Sequence, residues 1–552
     1  MKQENPNTSR VTDLLDRHKR LLGGRANFES YWQTLKDYFY IEAPDINRQY
    51  SVGQELNTSY LYDATTLEVA DVLASGFMNY LTPPTSKWFR LKAKNPALQE
   101  NKQVADYLED VSKEVQFALG RSNFYDQCFP SYKASGVFGT SIMFEEEDIE
   151  NDINFTTMPI KQCNIVEDAR GKVNEYYIEF EYSSHQAMLR WGMEALTPEM
   201  QREVTLRQDD RKHKFLLYIV KRHHRDVGKT DKKNMPIEAL WIDVEGKKTI
   251  EESGYHEFPA MCHRFDKQPF VAWGFSPAMK TLPFARLLNA VAKTNLRAMM
   301  KRTDPPIAVP ENSFIMPFNA NPRAINYYSK KNITNQNDIF AFANYGDPNF
   351  GMNAVEYYSQ KVKSLMFNDV FLAFDGVTKQ MNNPEIAERI NEKMTQLAPA
   401  VGRWIAEVVN PVVVRTIGIL QRLGKLPNPP DAILEDPEYE IECLSQLAQA
   451  QKRSELNNLI TAMSVIGQSA QLMPDIIDKI NADKFADEVW DVTGANVKIL
   501  RDDNEIAELR EGRAEQLADQ QAMGMEQAGA SVAETASKVD KNYSDANKQV
   551  SQ

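Results

Sequence analysis

One apolar stripe constrains this chain more than any other feature. Ile386, Ile390, Met394, Leu397, Val401, Ile405, Val408 and Val412 recur at near-heptad spacing between Glu385 and Leu423. Side chains at that spacing share one face of a helix, so the stripe predicts a single long amphipathic rod. At 1.5 Å per residue the rod is about 60 Å long, roughly twice the diameter of a small domain. Pro399 and Pro411 each lack an amide donor and predict one or two kinks in it.

The remaining elements are punctuated by glycine and proline. Val11, Leu14, Leu15, Leu21 and Leu22 predict a first helix that stops at Gly23-Gly24. Phe28, Tyr31, Trp32, Leu35, Tyr38 and Phe39 predict a second, ending before Pro44. A third, Asp63 to Leu81, is closed by Pro83-Pro84, and Lys87 to Leu91 reads as a short strand. After a helix from Lys102 to Gly120 the texture turns to β between about Phe144 and Phe275. Asn174–Tyr182, Phe215–Val220 and Ala239–Val244 are rich in aromatic and branched residues, and charged tips at Glu145–Asp152 and Lys221–Lys233 separate them.

Ser276-Pro277 then opens a helix by an N-cap and a first-turn proline, and Asp304-Pro305-Pro306 ends it. Residues 304 to 352 are irregular. A helix from Ala354 to Phe371, a polar loop from Phe374 to Pro384, and the long rod follow. Beyond Pro427-Asn428-Pro429-Pro430 the sequence predicts helix to about Leu500. The Ala/Gln-rich tail after 510 lacks the large apolar side chains to build a core of its own. The fold class expected is α+β, predominantly helical. The 552 residues, 42% hydrophobic and 26% charged, suffice for several buried units.

Lysine and arginine total 64 against 77 acidic residues, a formal charge of −13. That balance argues against tight binding of nucleic acid by phosphate neutralisation, though not against a surface that nucleic acid slides past. The four cysteines are scattered, which fits buried thiols in a reducing compartment. The polar start predicts no export signal, and no apolar run of membrane-spanning length is expected. The chain reads as a soluble protein made in the cytoplasm.

Catalytic motifs are weak. Gly228-Lys229-Thr230 ends like a phosphate-binding loop, but His223 stands where the first glycine belongs. His213, His223, His224, His256, Cys262 and His263 do not show paired zinc spacing, and read instead as strand and exposed-hairpin residues. Glu145–Asp148, with Glu150 and Asp152, lacks the glycine of a calcium loop and reads as a solvated hairpin tip. No catalytic residue, metal or cofactor is predicted. On the Ser276–Thr303 helix, Arg286, Lys293, Arg297 and Lys301 fall within a sector of about 80° at 100° per residue. Alone that is a solvated face; in a ring of helices it lines a channel or pairs with a neighbour.

The order of these blocks resembles the portal, or head-to-tail connector, proteins of short-tailed bacteriophages. Tyr62–Leu91 is similar to the family's early helix, its proline stop and the W-F-x-L strand, and Gly136–Phe144 to its small-residue return to the sheet. Trp273–Pro310 resembles the family's G-x-(S/G)-P start, L-P-x-x-x-x-L-N helix and D-P-P stop, and Asn383–Arg422 its long helix. The likeness spans about Asp13 to Leu426.

The resemblance implies a ring with wing (1–275), stem helices (276–303 and 353–373) and clip (304–352). It further implies a tunnel loop (374–384), a long wing helix (385–426), a crown (427–510) and a tail (511–552) that is a barrel or disordered. Twelve copies at −13 would total about −156, a wall that repels a polyanion. Lys379, Gln380, Met381, Asn382 and Asn383 would touch DNA in the channel. Asn321, Arg323, Tyr327, Tyr328 and Lys330 would dock partners on the clip. The partners implied are further copies of the chain, double-stranded DNA passing non-specifically, the terminase large subunit, a tail adaptor, and the capsid and scaffolding proteins. The location implied is the portal vertex of the virion. Another structural head–tail or internal virion protein is the alternative, and a packaging nuclease or ATPase a more distant one.

Overall fold

One helix, α1 (Pro6–Phe39), runs straight through the two glycines expected to stop it. In the computed structural model the described residues are 6–48, 58–99, 101–207, 211–226, 231–303, 348–371, 396–435, 437–444, 460–466 and 505–516. Also described are 228–229, 307–308, 327, 340–341, 485, 489, 535 and 538–539. Gly23 and Gly24 each cost a helix about 1 kcal/mol relative to alanine. Both halves of α1 are nevertheless anchored by burial, at about 1.5–3 kcal/mol per large side chain. Val11, Leu14 and Leu15 pack on Tyr177, Leu216, Tyr218, Leu240 and Ile242. Trp32, Leu35 and Phe39 are fully buried in the helical core. Between them Arg25 donates to the carbonyls of Ile160, Lys161 and Cys163. Non-local packing therefore overrides the local stop signal.

The described residues form two compact units. The first draws on Met1–Leu91, Val111–Asn428 and Ile441–Ser464; the second on Lys92–Asp110, Pro429–Glu440 and Val465–Gln552. In the first unit α1 is followed by α2 (Thr65–Leu81), which ends as expected before the proline pair, and by the strand β1, which opens at Phe89. The helix α3 (Lys102–Arg121) leads into a helix not foreseen, α4 (Phe124–Phe138), which accommodates Pro130. Gly139 closes α4 at φ +82°, and a Cβ there would meet Gly274 O at 2.3 Å, so only glycine fits.

The β texture resolves into two antiparallel sheets. Three strands, β2 (Thr140–Asp148), β3 (Asp152–Met158) and β9 (Ala260–Arg264), are ordered β3-β2-β9. Side chains at the start of α4 and in the residue before it cap the β3 edge. Asn123 donates to Phe155 O (2.8 Å) and accepts from Phe155 N (2.7 Å), while Gln127 Oε1 accepts from Thr157 N (2.7 Å). These amides supply the ladder bonds a further strand would make.

The second sheet is a five-stranded meander of β4 (Cys163–Glu167), β5 (Val173–Ser183), β6 (Lys212–Lys221), β7 (Ile237–Asp243) and β8 (Lys248–Tyr255). Helix α1 covers one face. On the other, Trp191 of α5 (Ser184–Trp191) packs against Tyr182, Phe215 and Trp241. Burial on both faces explains why β6 and β7 read as continuous apolar runs.

α6 (Pro198–Leu206) lies between β5 and β6. α7 (Pro277–Thr303) begins as expected, with Ser276 Oγ accepting from Met279 N (3.0 Å) and donating to Val137 O (2.7 Å). α8 (Pro348–Leu365) packs against it. The described part of the long rod is α9, Gln396–Arg422. Its irregularity is a π-turn at Ile405–Val409, just ahead of Pro411, whose missing N–H leaves the Glu407 carbonyl without its usual donor.

Two further expectations need correction. With a mean hydropathy of 1.3, α9 is long and apolar enough to cross a membrane, although no such segment was anticipated. Its apolar residues Val401, Trp404, Val408, Val412, Ile419 and Leu420 are buried in the protein's own core, and Arg403, Glu407 and Arg415 interrupt the run. Tyr439–Cys443, placed within a helical stretch, is a strand. Tyr439, Ile441 and Cys443 alternate with Glu440 and Glu442, a period of two that a reading for helix passes over. In the first unit Arg90 Nε donates to Glu442 at 2.6 Å. In the second, Lys94 N donates to Glu438 O at 3.1 Å.

Candidate functional site

The basic stripe of α7 is divided by its surroundings. Arg286, Arg297 and Lys301 are exposed, whereas Lys293 is half-buried with Nζ 5.0 Å above the ring of Tyr62. A turn clamped to α7 sets that ring: Asn289 donates to Tyr60 O (2.8 Å) and accepts from Tyr62 N (2.7 Å). Leu287, Leu296, Met299 and Met300 stay exposed between the cations, as do Phe350, Met352 and Tyr357 on α8. The two helices approach closely at Gly351, where a Cβ would lie 2.3 Å from Asn295 Oδ1. The helix pair thus presents a mixed apolar and cationic surface that the described residues of the chain do not cover.

Residues 372–395 lie outside the described residues, so Lys379, Gln380, Met381, Asn382 and Asn383 are not placed. Asn321, Arg323, Tyr328 and Lys330 likewise fall outside them, and Tyr327 is described and exposed. What the structure does fix is the last described residue before the polar loop. Phe371 is buried against α2, edge-on to Phe77 (5.6 Å between centroids) and stacked on Tyr80 (6.0 Å). Its ring occupies the space a side chain at Gly76 would need. A helical glycine carries no sequence signal for such a socket.

The core of the first unit holds charged groups that reading by composition missed. Glu145, expected at a solvated tip, is fully buried in β2. It accepts from Thr416 Oγ1 (3.0 Å), and Arg415 Nε donates to its backbone carbonyl (3.2 Å). Burial pushes its carboxyl up to about 8, against the opposing pull of Arg415. Arg264 joins three elements: its backbone N and Nε donate to Glu407 in the π-turn of α9 (2.8 and 3.0 Å), and its guanidinium also binds Glu167 at the end of β4. The π-turn so places Glu407 that α9 is tied to both sheets.

The histidine and cysteine candidates do not converge. His213 is bound to Glu203 at 2.6 Å, and His263 to Ser135 Oγ at 2.6 Å, with burial lowering its pKa to about 3. Cys262 is buried, which raises its thiol pKa. Among the described residues no three His, Cys, Asp or Glu side chains gather as a metal-ligand set. Gly228 and Lys229 sit in an exposed loop that leads to a single 3₁₀ turn, Lys232–Asn234, rather than to a helix N-terminus.

The negative charge is unevenly held. The second unit has 12 lysines and arginines against 26 acids, which leaves 52 against 51 for the first. The chain's −13 is thus the sum of −14 and +1. A wall that repels DNA along its whole length, as uniform acidity would give, is not what the first unit offers.

Over residues 11–500 the sequence matches the family model described as bacteriophage head to tail connecting protein. The chain belongs to that family. It is 27% identical over 535 residues to the portal protein of Salmonella phage epsilon15, covering 95% of each chain. It is 26% identical over 530 residues to the probable portal protein of Bordetella phage BPP-1, covering 96% of this chain and 95% of the relative. Head-to-tail connecting proteins are structural parts of the virion at the capsid, where head and tail join. The unclaimed surface of α7 and α8 belongs to a chain of that structural kind.

Proposed function

We propose that this chain is a portal subunit, a non-enzymatic protein that closes with copies of itself into a ring, as a dodecamer, at one capsid vertex. Through the ring the genome enters in packaging, is retained, and leaves at ejection. The observation that carries this reading is the surface of α7 and α8. Seven large apolar side chains, with exposed Arg286, Arg297 and Lys301 among them, remain uncovered by the chain's own described residues, as a subunit in an assembly requires. In that reading α7 and α8 are the stem, residues between them the clip, residues 374–384 the tunnel loop, and α9 part of the wing. The clip docks the terminase large subunit and later a tail adaptor; capsid and scaffolding proteins meet the wing.

The uneven charge supports one refinement. The second unit, net −14, supplies the repulsion that keeps DNA from adhering, whereas the stem passes DNA by weak contact with exposed Arg286, Arg297 and Lys301. Cryo-electron microscopy of the purified chain tests the proposal. Closed rings with α7 and α8 around the central opening are expected, and monomers or twofold dimers at all concentrations would sink it.

A further inference from the structure

Between β6 and β7 the chain concentrates positive charge. From Lys221 to Lys233 it carries Lys221, Arg222, Arg225, Lys229, Lys232 and Lys233 against Asp226 and Asp231, with His223 and His224 besides. The loop is built rather than slack. Arg222 is turned to structural use, donating to the carbonyls of Lys233 and Ser253. Asn234 accepts from Asp226 N (3.1 Å) and donates to Asp231 Oδ1 (2.6 Å), a bond that holds the Asp231 carboxyl below the usual carboxylate range. These polar bonds hold the described backbone of the loop, while Lys221, His223, His224 and Arg225 are exposed and, among the described residues, have no acidic partner; Lys229, Lys232 and Lys233 are also exposed but lie 3.4–3.7 Å from Asp226, Glu251 and Glu252. Elsewhere in the first unit Arg10, Arg17, Arg25, Arg264 and Arg415 are all engaged in ion pairs. The register of β5 on β6 (Glu175 opposite Val220) sets the β4–β5 turn beside this loop, adding exposed Arg170 and Lys172.

We infer that this end of the five-stranded sheet is a binding surface for duplex DNA, engaged through its phosphates and separate from the α7–α8 stripe. The residue types select the partner. No phenylalanine, tyrosine or tryptophan stands between Lys221 and Asn234, so the broad rings on which single strands stack are missing. The exposed loop residues include no tryptophan, tyrosine or large apolar anchor around which a protein interface is built. Mobile cations on a fixed backbone suit sequence-blind contact with phosphates, whose strength comes from counterion release. With the first unit near neutral and the second at −14, this loop is where a polyanion gains rather than loses electrostatic energy.

The surface is independent of the ring, so its test does not stand or fall with the portal reading. Purified full-length chain is titrated onto a labelled duplex of about 25 base pairs, with salt varied from about 50 to 200 mM and binding read by fluorescence anisotropy. Substituting Lys221→Gln, Arg225→Gln, Lys232→Gln and Lys233→Gln together is expected to lower the slope of log affinity against log salt by about 3 to 4. Affinity at low salt should fall at least tenfold. A control with Lys19→Gln and Arg20→Gln, exposed on α1, should bind like the wild type. Circular dichroism confirms folding, and the Lys221→Gln/Arg225→Gln pair, with about half the slope change, replaces the quadruple variant if that is unstable. Three results would overturn the inference: no duplex binding by the wild type at low salt, an equal loss in the α1 control, or competition by polyglutamate as effective as by duplex, which assigns the loop to an acidic protein.

Discussion

A methyl group on Gly76 would lie 2.4 Å from the ring of Phe371. The glycine of α2 is therefore the socket for the aromatic side chain that precedes the polar loop from 374 to 384. Alanine there gains about 1 kcal/mol of helix propensity but forces the ring aside, an overpacking cost of about 1–3 kcal/mol. Gly76→Val puts an isopropyl group there, two carbons more than alanine, and should destabilise by roughly 2 kcal/mol or more, while Phe371→Leu in the same chain recovers part of the loss. Urea denaturation of the two single variants and the double reads both values; additive losses would show that the contact carries no coupling.

Glu145 gives the first unit a pH dependence of definite sign. Its folded pKa, near 8, is raised above the ordinary carboxylate value by burial. Between the two values the folded chain holds one proton more than the unfolded chain. Stability from this group is therefore complete at pH below about 4.5 and declines toward pH 8, by at most about 1.4 kcal/mol per unit. Glu145→Gln keeps an acceptor for Thr416 and removes the proton. Melting curves from pH 5 to 9 should show a shallower alkaline decline in the variant than in the wild type.

Glu407 matters through Arg264, which is nearly inaccessible, with 4% of its side chain exposed. Glu407→Ala leaves that guanidinium with Glu167 and the Gly171 carbonyl, and removes its tie between α9 and β9. A loss of about 3 kcal/mol is expected, as for removal of one partner from a buried pair. Glu407→Gln, which retains an acceptor for the Arg264 backbone N–H, should lose about half as much, both read as shifts in the denaturation midpoint.

Gly23 and Gly24 stand in α1 with no atom within 4 Å of where a Cβ would be. Alanine at either position should stabilise the protein by up to about 1 kcal/mol, since helix propensity improves and no contact is disturbed. A rise in melting temperature checks this; a fall would show that the helix bends there in solution.

Deleting Lys379 to Asn383 should leave assembly intact, because these residues follow rather than form the Phe371 anchor. Genome packaging or retention should fall, measured as DNA-filled particles after complementation. Normal filling would count against a channel role for the loop.

Several elements were legible because their signals are local. Ser276-Pro277 starts α7, the prolines at 83 and 84 close α2, and the aromatic runs of β5 to β7 need no distant partner to be read. The sector shared by Arg286, Lys293, Arg297 and Lys301 followed from helical spacing alone. Its division between three exposed side chains and one held over Tyr62 depends on Asn289, more than 200 residues beyond Tyr60. The chain's order of blocks also pointed to its family without any contact being known.

Tertiary structure alone decided the rest. It carried α1 through two glycines, buried Glu145 where charge predicted a solvated tip, and turned Tyr439–Cys443 into a strand. It also seated Phe371 on Gly76 and divided a net −13 into nearly neutral and strongly acidic units. The reason is one of magnitude. Propensity and charge pattern weigh about 1 kcal/mol per residue or less, whereas burial against residues far along the chain contributes several kcal/mol at a stroke.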